Sequence, residues 1–204
     1  LSVYFHSGDL PQDLDLGKIV AVDTEAMGLK LHRDRLCLVQ LSAGDGDAHV
    51  VQIQQKNDGA PNLVALLANR EVTKLFHFAR FDVAVLKFYL DCDCQPICCT
   101  KIASRLARTF TDRHGLKDLC KDLLGLDISK QQQTSDWGAP ELSEAQLEYA
   151  ASDVFHLHAL WECLKVMLER EGRLELAEAA FRFLPYRAAL DIAGFEDDDI
   201  FAHH

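Results

Sequence analysis

The sequence predicts an α/β fold, a mixed five-stranded sheet flanked by helices. Two observations carry that reading. Three strand-length apolar runs follow one another with only turn material between them, which is the pattern of an antiparallel meander. Two further runs then alternate with helix-period segments, as parallel crossovers require.

The first run, residues 18–23, reads Lys18-Ile19-Val20-Ala21-Val22 and ends at Asp23. The second and third, 35–42 and 48–53, are separated by Ala43-Gly44-Asp45-Gly46-Asp47, a turn composition. Helical patterns at 61–69, 80–90 and 100–109 enclose the strand-like runs near 73–78 and 96–99. Ser143 followed by Gln146 forms a capping-box signature, opening a helix expected to run to about Gly172. With 204 residues the chain suits one domain, 1–204, with a substantial core. Residues from about 172 to 204 are expected to form a C-terminal helical and oligomerisation extension, because Phe181, Phe183, Tyr186, Ile192, Phe195, Ile200 and Phe201 offer more apolar surface than a frayed tail keeps exposed.

A formal charge of −11 argues against a protein that tracks along long nucleic acid by neutralising many phosphates. Seven cysteines, no leader pattern and no bilayer-length apolar run fit a reducing cytoplasm without membrane association. Cys92, Cys94, Cys98 and Cys99 lack the paired spacing of a zinc knuckle and read as small buried hydrophobes.

The acidic residues carry the chemistry. Asp23 and Glu25 end the first strand two residues apart, so both carboxylates lie on one face. Tyr149 and Asp153 are four apart in the long helical segment and share a face there. Asp82 opens the helix that follows the fourth strand. Each piece alone is commonplace. Together, carboxylates from three elements suit two hard divalent cations, Mg²⁺ or Mn²⁺, that hold a phosphate and supply hydroxide.

Ala21-Val22-Asp23-Thr24-Glu25, His77-Phe78-Ala79-Arg80-Phe81-Asp82 and Gln146-Leu147-Glu148-Tyr149-Ala150-Ala151-Ser152-Asp153 resemble, in order and spacing, the three motifs of the DEDD superfamily of 3′ to 5′ exonucleases, in its tyrosine-containing (DEDDy), ribonuclease D-like branch. The likeness extends through Arg35–Leu41, Gly115–Leu119 and Ser135-Asp136-Trp137. Within that group, Thr111–Lys117, Ile128–Gln133 and Asp199–His203 look most like nano-RNase C (NrnC), and the short chain fits that family better than ribonuclease D with its added helical domains.

The resemblance implies an RNase H-like fold and a metal-dependent exoribonuclease that degrades very short RNAs, above all diribonucleotides, to 5′-nucleoside monophosphates. Asp23, Glu25 and Asp153 match the direct metal ligands and Asp82 a ligand acting through water, while Tyr149 orients the attacking water. Leu29 matches a side chain that wedges between the last two bases, with Met27 and Gly28 beside it. His77, Gln132 and Trp137 are candidate substrate contacts, as are Lys130, Gln131 and Gln133. A homo-oligomeric ring, an octamer, is also implied. Ribonuclease D-like trimming of longer RNA and a polymerase-associated proofreading module are the alternatives.

Overall fold

The computed structural model describes residues 1–54, 59–128 and 135–203. The sheet has six strands in place of the expected five, in the order β1-β4-β3-β2-β5-β6. Strands β2 (Ile19–Ala26), β3 (Leu36–Ser42) and β4 (Asp47–Gln52) form the predicted meander, and β5 (Thr73–Phe76) and β6 (Ile97–Cys99) continue it in parallel. The added strand is β1 (Ser2–Ser7), parallel to β4 at the sheet's edge. Its sequence hides it because the strand is exposed on both sides over much of its length, with Tyr4 and Phe5 both at the surface. A side-chain contact between His6 Nε2 and His49 Nδ1 at 3.0 Å ties it to β4.

Helices α1 (Pro61–Ala68) and α2 (Ala79–Leu90) are the expected crossovers, and α3 (Thr100–Ala107) is the expected helix after the last strand. A short α4 (Leu116–Leu119) widens into a π-helical turn over Cys120–Leu124. The long helix predicted from Ser143 starts with the expected reciprocal capping box but is divided at His156 into α5 (Glu144–Phe155) and α6 (Leu157–Arg170). The break lets the two halves serve different layers. α5 packs on β2, β3 and β4, whereas α6 packs on α3, α7 and β5. His158 fixes the redirected segment by donating from Nε2 to the Ile19 carbonyl at 3.0 Å.

The C-terminal helix α7 (Leu174–Ile192) is less of an extension than the sequence suggests. Ala177, Phe181, Leu184 and Ala188 join the main core, and Arg80 of α2 pairs in bidentate fashion with Asp191 at 2.7 Å. The apolar residues Phe183, Tyr186, Phe195, Ile200 and Phe201 remain exposed.

Among the described residues, one charged side chain lies wholly inside. Lys74 of β5 is buried, and its ammonium donates to the carbonyls of Asn69, Val72 and Gln95 at 2.7, 2.6 and 2.5 Å, which satisfies all three of its protons. No helix among the described residues is long and apolar enough to cross a membrane.

Candidate active site

The site forms where β2 outruns its neighbour. The β2–β5 pairing ends at Ala21↔Leu75, while β2 continues to Ala26. Asp23 and Glu25 therefore project beyond the end of β5, and the chain leaving β5 turns into α2 beside them. On the other side, the strand remains held by β3 through Asp23↔Gln40 and Glu25↔Leu38, with a bulge at Glu25/Ala26. A strand paired to its tip on one edge and open on the other gives rigid carboxylates facing a cleft.

α5 closes that cleft. The loop leading into it is anchored by Arg35, which donates to the Ile53 and Gly138 carbonyls at 3.0 and 3.1 Å, and by Gln52, which donates to the Ala139 carbonyl at 3.1 Å. Thus docked, the helix brings Asp153 to Asp23 and Glu25, with one carboxylate oxygen from each within 4.8 Å of the others. This is the one such cluster among the described residues.

Asp82 completes the acidic set from α2. It is only 4% exposed and accepts a 2.7 Å hydrogen bond from the Thr24 hydroxyl. Burial raises its carboxyl to about 7 despite that bond, with Asp153 adding to the shift. Desolvation, then Asp82, Asp153 and Glu25, push Asp23 well above the ordinary carboxylate range. Desolvation, then Asp153 and Asp82, bring Glu25 to about 8. Burial is the first cause of each upward shift and the mutual repulsion of the acids the second. Clustered oxygen donors whose charge is uncompensated fit a hard divalent cation, which the site would hold through Asp23, Glu25 and Asp153.

Tyr149 lies one turn before Asp153, half-buried beside the same carboxylates. Desolvation and the charges of Asp153, Glu25 and Asp23 raise its phenol above the usual value, so it is protonated at neutral pH. Its ring stacks on Trp137, centroids 5.9 Å apart. Trp137 itself is 2% exposed, packed among Cys37, Leu38, Val50 and Ala150. Trp137, expected to contact substrate, lies behind Tyr149 inside the core.

Leu29 stands 80% exposed and Met27 is also at the surface. Gly28 leaves no room for a side chain, since a Cβ would come 2.4 Å from Asp34 Oδ2. His77 is largely enclosed. The Thr100 hydroxyl donates to the Phe76 carbonyl at 3.1 Å, so it accepts from His77 Nδ1 at 2.9 Å and leaves Nε2 unprotonated. Desolvation and Lys101 hold this imidazole down at about 3. Lys130, Gln131, Gln132 and Gln133 lie outside the described residues.

Two residues were missed. Gln40, fully buried, sits across from Asp23 with both side-chain amide atoms lacking a hydrogen-bond partner among the described residues. The signal was a lone amide in an apolar strand at the register position opposite Asp23. Phe78 is 46% exposed at the start of α2. Cys92, Cys94, Cys98 and Cys99 are buried, as small apolar side chains are, and desolvation raises each thiol.

Residues 6–169 match the 3′-5′ exonuclease family. Ribonuclease D of Acidiphilium cryptum is 40% identical over 162 residues, 79% of this chain and 41% of that protein, so the chain spans about two fifths of the length of such a relative. The structure of Brucella melitensis NrnC bound to pGG is 56% identical with a TM-score of 0.95, and that of the same protein with bound Mg²⁺ is 55% identical with a TM-score of 0.94; each alignment covers 100% of both chains. A strand-borne acidic pair, a helix-borne acid with its tyrosine, and a family match running through all of them lead to one assignment: the chain belongs to the 3′-5′ exonuclease family, in the ribonuclease D-like group near NrnC.

Proposed function

We propose that this protein is a metal-dependent 3′-5′ exoribonuclease that degrades very short RNAs, preferentially diribonucleotides, to 5′-nucleoside monophosphates. The observation that carries the reading is the convergence of Asp23, Glu25 and Asp153 within 4.8 Å, with Asp82 and Tyr149 alongside. Two divalent cations, Mg²⁺ or Mn²⁺, would supply charge stabilisation of the phosphate and activation of water. Asp23 would be the residue to bridge them. Glu25 and Asp153 would complete the direct ligands, and Asp82, held by Thr24, would act through water.

Tyr149 keeps its proton, so its part is to hold the attacking water in line by a hydrogen bond. Trp137 fixes the direction of that phenol. Leu29, unsupported at the surface, separates the last two bases, an interaction that needs only two nucleotides. The Brucella protein solved with pGG supports a short substrate by similarity. The acidic balance of the chain offers little attraction for further phosphates. The exposed Phe183, Tyr186 and Phe201 supply a motive for assembly into a closed ring, which we take to be an octamer. Free thiols at all seven cysteines suit the cytoplasm.

The test is incubation of a 5′-phosphorylated diribonucleotide with the protein in Mg²⁺ or in EDTA, with chromatography of the products. Nucleoside 5′-monophosphates in Mg²⁺ alone are expected. Equal activity in EDTA would remove the metal mechanism.

A further inference from the structure

Phe78 has no part in the chemistry just derived, yet its conformation demands a reason. It caps α2 with φ 71° and ψ 42°, a left-handed backbone that is unfavourable for a bulky aromatic residue. Strain of this kind persists where surrounding structure or function requires it. Core packing does not explain it, because the ring is 46% exposed.

The ring stands between two cavities. One, of about 280 Å³, is lined by Leu29, Leu31, Arg80 and Phe81; the other, of about 550 Å³, by Lys101, Ile102, Arg105 and Phe183. Lys101 Nζ lies 4.4 Å from the ring centroid, so a cation covers the face on the larger cavity's side and pins the ring's orientation. Leu29 and Phe78 both line the smaller cavity, whose lining does not include Lys101. Asp82, four residues on, joins this same turn of helix to the acidic cluster.

We infer that Phe78 is a nucleobase platform. A substrate base stacks on the ring face opposite Lys101, between Phe78 and Leu29, and the larger purine surface gains more from that contact than a pyrimidine. The inference rests on the exoribonuclease reading and adds a determinant of base preference to it. Stacking on an aromatic side chain accepts every base, and its strength follows the overlap of π-surface.

Substitution separates this role from a structural one. Glycine adopts the left-handed conformation without penalty, so Phe78→Gly is expected to melt no lower than the parent while losing the platform. Initial rates on 5′-phosphorylated diadenosine and diuridine RNAs should then show KM for the purine substrate rising about tenfold, with kcat within about threefold and the purine preference gone. Phe78→Leu, which keeps apolar bulk, should give the same KM change, and Phe78→Tyr should restore parental values. Parental KM and base preference in Phe78→Gly or Phe78→Leu would overturn the inference while leaving the exoribonuclease reading intact. An unsubstituted protein that cleaves neither substrate would overturn both.

Discussion

The Thr24 hydroxyl donates to Asp82 Oδ1 at 2.7 Å, joining the strand that carries Asp23 and Glu25 to α2. Thr24 alternates with the two acids along β2, so its side chain leaves the opposite face of the strand and meets α2 there. The bond sets where Asp82 stands relative to the cluster. A hydrogen bond to a charged acceptor contributes about 1.5–3 kcal/mol. Thr24→Val should therefore keep the fold and lower turnover by about tenfold, as the lower end of that range implies, while Thr24→Ser should retain most activity. Parental turnover in the valine variant would show that Asp82 needs no such anchor.

The crowded acids make metal-free stability depend on pH in a definite direction. Glu25 and Asp82 titrate at about 8 and about 7 in the folded state, above the ordinary value near 4. Between those limits the folded protein holds more protons than the unfolded chain, so stability falls as pH rises from about 4 to 8. Melting curves in EDTA should shift downward across this range. Mg²⁺, which competes with protons for the same oxygens, should raise the melting temperature more at pH 8 than at pH 5. A metal-free melting temperature that climbs over this interval would contradict the shifts.

The same repulsion predicts a trade between stability and function. Glu25→Gln or Asp153→Asn removes one negative charge from the cluster and should raise the metal-free melting temperature at pH 8. Turnover should fall by about a thousandfold or more, in keeping with the several kcal/mol of charge stabilisation that a correctly held cation supplies. A variant with near-parental turnover would exclude that residue from the metal site.

Tyr149→Phe tests positioning apart from metal binding. The expected loss is about a hundredfold in kcat, the lower range for a placed proton-handling group. Mg²⁺-induced stabilisation should be unchanged. Since the phenol of Tyr149 is raised above its ordinary value, the pH–rate profile should show no tyrosine ionisation below its normal range.

Leu29→Ala should raise KM for a diribonucleotide, corresponding to about 1–3 kcal/mol if base contact is lost. With the side chain 80% exposed, the fold has nothing to lose by its removal. An unchanged KM would take the wedge role from Leu29.

The acidic cluster was legible because both periods operate at once: two residues on a strand align Asp23 with Glu25, and four on a helix align Tyr149 with Asp153. The meander, the crossovers and the Ser143 capping box followed from local chemistry in the same way. Tertiary context hid the rest. β1 lacks a buried face over much of its length, and the break at His156 has no Pro or Gly to announce it, since it exists to hand the chain from one layer to another. Trp137 read as a contact residue because its motif borders the site, but that loop is drawn down onto β3 and β4 by Arg35 and Gln52. Gln40 became visible only once register set it opposite Asp23.

Initial cleavage rates in Mg²⁺ on a series of 5′-phosphorylated RNAs of increasing length, from the dinucleotide upward, test the central claim most directly. The fastest turnover is expected on the dinucleotide, with a decline on extension. Rates that rise steadily with length would contradict the account and assign the site to trimming of longer RNA ends.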